Sequence, residues 1–257
     1  MKIDTHCHTK EGSPDGLVNI KDTINGLIKK GYDGMIVTDH NSYEGYNSIK
    51  YLNYKNFTIF KGIEYDTSDA GHMLIILPTE EDNDIFTHKG MKMKDVIKIV
   101  KGLGGILGPA HPFDYYKLGI LNNARWIKNQ NIIKEFSFIE TFNSCGSELG
   151  NQKANLIAKI YNKPGLGGSD SHRTGSVGQG YTILPHKIEN QNELINLIKC
   201  LDYKDTQVGG ILFKGSSKDK LGMIYSVGIR AFYLISLVTS VFSRKKAIKI
   251  ALALSLI

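Results

Sequence analysis

The chain has 257 residues, 41% of them hydrophobic and 22% charged, which is ordinary globular usage and excludes wholesale disorder. Three widely spaced cysteines, Cys7, Cys145 and Cys200, argue against a disulfide scaffold and point to a reducing compartment. The net charge of +7 is concentrated in residues 221–257, which hold five basic and no acidic residues, so the first 220 carry 27 basic against 25 acidic and give little support to nucleic-acid binding through bulk charge.

Short apolar runs alternate with helical periods along the chain. Strands are expected at Lys2–His6, Gly34–Thr38, Phe57–Ile63, His72–Leu77, Gly105–Ala110, Ser137–Thr141 and Pro164–Gly168. Helices are expected between them at Val18–Lys30, Tyr43–Leu52, Lys92–Leu103 and Ser147–Tyr161. In the first, Leu17, Ile20, Ile24, Leu27 and Ile28 recur at helical spacing and Gly31 ends the run. This alternation predicts a parallel α/β sheet or barrel over roughly 170 residues. A late strand at Tyr181–Leu184, a helix at Asn192–Cys200 and a linker at Lys214–Lys218 follow.

The unusual residues stand where strands are expected to end. His6 and His8 close the first strand two positions apart, so both imidazoles face one way while Cys7 packs into the wall. Thr38-Asp39-His40 closes the second and Gly62-Ile63-Glu64 the third. His72 opens the next strand after a short loop holding Asp66, Asp69 and Gly71. Ala110-His111-Pro112 and Gly168-Ser169-Asp170-Ser171-His172 close two later ones. In barrels the active site gathers at this rim. A mixture of imidazoles and carboxylates without thiolates suits Zn, Mn or Fe, and more than four ligands implies more than one ion. His88 and His186 fall outside these positions and read as solvated loop residues.

In this order, with Asp15 in Ser13-Pro14-Asp15-Gly16 and Gly45 after Thr38-Asp39-His40, the motifs resemble the PHP (polymerase and histidinol phosphatase) family of metal-dependent phosphoesterases. The resemblance runs from Lys2 to about Gly180. It implies a distorted seven-stranded (β/α)7 barrel over 1–180, a small PHP-associated region over 181–215 and a hydrophobic basic tail over 216–257.

The resemblance also implies three divalent ions. His6, His8, Glu64 and Asp170 would hold the first, Glu64 with His72 and His111 the second, and Asp15, His40 and His172 the third. Asp170 and His172 are its candidate catalytic residues. Asp39 is expected to orient a ligating histidine, and Asn143 and Arg173 are expected to face substrate. Bound cations lower the pKa of water, so the implied chemistry needs no protein nucleophile. Many family phosphoesterases carry an arginine soon after the His-Pro pair, whereas here Phe113, Asp114, Tyr115, Tyr116 and Lys117 follow. Asp15 stands where histidinol phosphatases usually have histidine, which points away from histidinol phosphate.

The expected function is hydrolysis of a small phosphorylated substrate, a phosphomonoester or a small nucleotide or oligonucleotide. The alternatives are hydrolysis of another ester or amide, or a non-catalytic metal-binding domain docked to a membrane. Met1 to His6 has no apolar run behind Lys2, so no signal peptide is expected and the location is read as cytoplasmic. In residues 221–257, Ser236, Thr239, Ser240 and Ser243 form a polar stripe opposite Leu234, Val238 and Val241, followed by Arg244-Lys245-Lys246. This pattern suits an interfacial helix on anionic lipid at the cytoplasmic membrane surface, or a helix docked on the barrel or a second subunit.

Overall fold

The computed structural model of the chain describes residues 1–78, 84–114, 119–122 and 131–214. The tail over 221–257, and Tyr115, Tyr116 and Lys117 after the His-Pro pair, lie outside the described residues. The strands are β1 Lys2–Cys7, β2 Gly34–Val37, β3 Thr58–Lys61, β4 Ile63–Asp66, β5 His72–Ile76, β6 Ile106–Pro109, β7 Ile139–Asn143, β8 Gly165–Gly168, β9 Gly180–Ile183 and β10 Gln207–Gly210. The helices are α1 Ile20–Lys29, α2 Glu44–Asn47, α3 Met93–Gly102, α4 Ile132–Glu135, α5 Glu148–Ile160 and α6 Gln191–Cys200.

Side-chain oxygens at helix starts explain three of the boundaries. Asn19 accepts from Asp22 N at 2.9 Å, Ser147 from Gly150 N at 3.0 Å and Asn190 from Glu193 N at 2.9 Å. The helix expected at Tyr43–Leu52 shrinks to α2. There the Ser48 hydroxyl donates to the Gly45 carbonyl at 2.7 Å, and the chain leaves in successive turns.

Among the described residues the strands form a five-stranded sheet ordered β10-β9-β1-β2-β3, a three-stranded sheet β4-β5-β6 and a pair β7-β8. β1, β2 and β3 pair in parallel, as do β7 and β8. The expected parallel arrangement is corrected at β5, which runs antiparallel to both β4 and β6. The late strand β9 runs antiparallel to β1 and β10. The β4–β5 connection from Asp66 to His72 is far too short for a parallel crossover, which takes a dozen residues or more, so a hairpin forms.

The single strand expected at Phe57–Ile63 is also corrected, because it divides at Gly62. β3 ends beside Val37, and the chain then runs past the end of β2. There Glu64 N donates to Asp39 O at 3.1 Å and Asn41 N to Glu64 O at 3.0 Å. That switch sets Glu64 against His40.

One buried cluster draws Ile3, Ile36, Phe60, Leu74, Ile76, Ile106 and Leu166 from six strands. Leu194, Ile195 and Ile198 of α6 pack onto it, each buried apolar side chain contributing about 1.5–3 kcal/mol. Ile3 precedes His6 on β1, and Ile36 lies on β2 ahead of His40, which follows the strand's end. Ile76 pairs with Ile106 at the end of the hairpin away from His72. Helix α6 therefore plugs the end of the strands opposite the histidines. No described helix is long and apolar enough to cross a membrane.

Candidate metal centre

β1 delivers His6 and His8, both fully buried, with Nε2 atoms 3.1 Å apart. Between them Cys7 turns into the core, its thiol donating to the Ile36 carbonyl at 3.2 Å. β8 lies close beside β1 because a Cβ on Gly168 would come within 2.5 Å of His6 N. Ser169 then donates to Asp4 from both its hydroxyl, at 2.6 Å, and its backbone N, at 2.9 Å. Burial pushes the Asp4 carboxyl up to about 6, against these hydrogen bonds. Asp170 N donates to His6 O at 2.7 Å, and Asp170 takes a left-handed backbone with φ of 50°. His111 also has positive φ, 29°, so two site residues occupy a conformation that side chains disfavour.

Glu64 stands at the middle of the cluster, fully buried. Its Oε2 lies 3.3 Å from His6 Nε2, 3.1 Å from His8 Nε2 and 3.3 Å from His40 Nδ1. Its Oε1 lies 3.0 Å from both His72 Nδ1 and His111 Nε2. Asp170 Oδ1 is 3.3 Å from His8 Nε2 and 3.6 Å from His6 Nε2. Asp15 Oδ2 is 3.4 Å from His172 Nε2 and 3.8 Å from His40 Nε2. The structure thus brings together all nine expected ligands: His6, His8, Asp15, His40, Glu64, His72, His111, Asp170 and His172.

These spacings fit divalent ions. Ligand atoms about 2.1 Å from a tetrahedral ion sit about 3.4 Å from one another, and the His6, His8, Glu64 and Asp170 atoms keep close to that separation. The imidazoles crowd, with the His8 ring centroid 4.1 Å from that of His172 and 4.5 Å from that of His40. Asp15 Oδ1 is buried with no hydrogen-bond partner. Groups of donors within 4.8 Å of one another include His6–His8–Asp170, His8–His40–His172 and Glu64–His72–His111. A fourth group, His40–Asp66–His72, was not foreseen.

The charged groups of the cluster shift one another. Burial disfavours the charged Glu64 carboxylate, but His6, His40 and His72 outweigh it and hold the carboxyl well below its usual range. Burial likewise opposes charge on His40, yet Glu64, Asp15 and Asp66 raise its pKa to about 10. His6 is lifted well above the imidazole value by Glu140, Glu64 and Asp170 against the same penalty.

A supporting layer fixes the ring orientations. Asp39 accepts from Thr9 N at 2.6 Å, the Thr9 hydroxyl at 2.8 Å and the Ser13 hydroxyl at 2.9 Å, while Ser13 Oγ lies 3.0 Å from His8 Nδ1. Asp39 thus reaches His8 through Ser13. Gly12 and Gly45 flank this carboxylate so closely that a Cβ at either would come within 2.1 Å of Asp39 Oδ2. Glu140, whose importance the sequence reading missed, is fully buried with Oε1 2.8 Å from His6 Nδ1. Its Oε2 accepts from His111 N and from Asn143 Nδ2.

Asn143 also donates to Asp170 Oδ2 at 3.2 Å and accepts from Cys145 N at 3.1 Å, so its amide is engaged within the protein. Arg173 follows His172, half-buried, with Nε buried and lacking a hydrogen-bond partner. Lys89, also unforeseen, is only 6% exposed. Burial lowers its pKa and the nearby Asp66 works in the other direction.

The PHP domain family model matches residues 4–134, and the PHP-associated model matches residues 148–202. No curated protein matches the chain. Among solved structures, PsfC from Pseudomonas syringae PB-5123 is 17% identical, covering 90% of this chain and 98% of its own, with a TM-score of 0.60. A two-domain protein containing a predicted PHP-like metal-dependent phosphoesterase, from Bacteroides vulgatus ATCC 8482, is 17% identical over 82% of this chain and 65% of its own, TM-score 0.61. The lesion-specific endonuclease PfuEndoQ from Pyrococcus furiosus is 15% identical over 81% of this chain, TM-score 0.60, and the chain spans 58% of its length. At such identities these likenesses are of fold. The domain match over more than half of the chain shows that the protein belongs to the PHP family.

Proposed function

We propose that the protein is a metal-dependent phosphoesterase acting on a phosphomonoester or a small nucleotide or oligonucleotide. The observation that carries this reading is the placement of Glu64, with one carboxylate oxygen toward His6 and His8 and the other toward His72 and His111. A carboxylate aimed both ways is built to bridge two cations. Bound divalent ions would supply Lewis-acid charge for phosphate oxygens and a water of lowered pKa.

The chain's own residues then have distinct tasks. His6, His8, Glu64 and Asp170 form the deepest holding set, Glu64, His72 and His111 the second, and Asp15, His40 and His172 the third. Zn, Mn or Fe suits this donor chemistry. Asp170 and His172 stand nearest the reacting atoms in this reading. Arg173 is assigned to phosphate oxygens, supported by the lack of a hydrogen-bond partner at its Nε. Asn143 holds Asp170 in place.

The fold is read as a distorted seven-stranded β/α barrel. This reading is supported by single backbone hydrogen bonds between neighbouring sheets, Asp170 N donating to His6 O, Glu64 N to Asp39 O and Ser137 N to Leu107 O. For residues 221–257 we keep the reading of contact with an anionic membrane surface, tested by pelleting the full chain with anionic and with zwitterionic vesicles at low salt.

The function is tested by phosphate release from the full chain in Mn²⁺ or Zn²⁺, against monoesters, dinucleotides and short oligonucleotides, with a chelated control. Metal-dependent release from one class supports the reading and names the substrate class. Metal-loaded protein inert on every phosphoester, yet active on another ester or an amide, replaces it.

A further inference from the structure

Asp66 is a carboxylate that the ligand assignment above leaves without a task. It follows Glu64 by two residues on β4, so both side chains turn to the same face. Its backbone is fixed on both sides, with N donating to Asn41 Oδ1 at 2.9 Å and O accepting from Gly90 N at 2.8 Å. The side chain lies mostly buried against two imidazoles. Asp66 Oδ1 is 3.4 Å from His72 Nε2 and 3.6 Å from His40 Nδ1, and it is buried without a formed hydrogen bond.

In both rings the other nitrogen faces an ion-holding carboxylate. His72 Nδ1 is 3.0 Å from Glu64 Oε1, and His40 Nε2 is 3.8 Å from Asp15 Oδ2. A histidine that gives one nitrogen to an ion turns its second N–H to a carboxylate, carbonyl or water, which fixes tautomer and ring angle. A carboxylate oxygen has two lone pairs and can accept from both rings. Glu64 Oε2 also lies 3.3 Å from His40 Nδ1, but that oxygen is directed at His6 and His8 as well.

We propose that Asp66 is a positioning residue shared by two ion positions, holding His72 and His40 by their outer nitrogens. It thereby ties the position at Glu64, His72 and His111 to the one at Asp15, His40 and His172. This rests on the metal-centre reading above. The competing arrangement, an ion held directly by Asp66, His40 Nδ1 and His72 Nε2, would strip both protons from rings that already serve a neighbouring ion.

The test is the full chain carrying Asp66→Asn, titrated with Zn²⁺ against a competing chelator and compared with the wild type and Asp66→Glu. The expected result is a loss of about 10–100-fold in affinity at two ion positions. The position at His6, His8, Glu64 and Asp170 keeps its affinity, the metal-free protein remains folded by circular dichroism, and Asp66→Glu recovers part of the loss. The visible spectrum of the Co²⁺-loaded variant shifts as the two rings reorient, and kcat falls more than KM rises.

Wild-type affinity at every position in Asp66→Asn overturns the inference. So does complete loss of one ion with the others untouched, which marks a direct ligand. A wild-type chain that takes up no divalent ion at all fails the metal-centre reading itself, and the inference with it.

Discussion

His6 Nδ1 lies 2.8 Å from Glu140 Oε1, and both side chains are fully buried. A carboxylate can only accept, so Nδ1 donates here, and in the neutral ring that an ion requires the lone pair falls on Nε2, the atom that faces Glu64 and Asp170. Glu140 also accepts from the His111 backbone and from Asn143, so one carboxylate steadies groups from three segments of the site.

Glu140→Gln is therefore expected to lower metal affinity and turnover by about 10–100-fold while the protein remains folded. Chelator competition and circular dichroism on the same sample check this. Unchanged affinity would show that His6 keeps its orientation without Glu140.

Asp39 presents a different kind of dependence. It is buried, it accepts three hydrogen bonds from Thr9 and Ser13, and Gly12 and Gly45 leave no room for it to move. Asp39→Ala leaves these donors without partners, at about 1–3 kcal/mol for each one that stays buried. Urea unfolding of the metal-free protein should show a loss of about 3 kcal/mol or more. Metal affinity should fall with it, because Ser13 no longer has an anchor from which to hold His8.

The protonation of the cluster sets the direction of its pH response. The His40 pKa is raised from 6.5 to about 10, against burial, by Glu64, Asp15 and Asp66. A group raised in this way stabilises the metal-free fold fully below its unfolded value and loses that contribution as pH rises through its folded value. The metal-free protein should therefore lose this stabilisation between about pH 6.5 and pH 10. Ion binding requires neutral imidazole nitrogen, so uptake at pH 7 should expel protons and affinity should weaken as pH falls. Calorimetry in buffers of different ionisation enthalpy measures the proton release; a heat independent of buffer would contradict it.

Much of the site was legible because strand ends collect chemistry-bearing residues. His6, His40, Glu64, His111 and Asp170 each stand beside a turn signal, and the structure brings them to one place. Glu140 escaped because its closeness to His6 depends on how β7 is placed beyond β8 from β1, which spacing within one strand does not reveal. Asp66 could have been read, since the two-residue rule that joined His6 to His8 applies equally to Glu64 and Asp66.

The all-parallel expectation failed at the β4–β5 hairpin, where the shortness of the Asp66-to-His72 connection was itself the contrary signal. The helix expected at Tyr43–Leu52 overran: α2 ends at Asn47, where the Ser48 hydroxyl bonds back to the Gly45 carbonyl.

In the proposed function Glu64 bridges two cations, and anomalous diffraction from crystals of the full chain grown with Zn²⁺ tests that bridge. Two peaks are expected about 3.5–4 Å apart with Glu64 between them, one beside His6, His8 and Asp170 and the other beside His72 and His111. No peak at these residues, or a single ion that Glu64 does not touch, would contradict it.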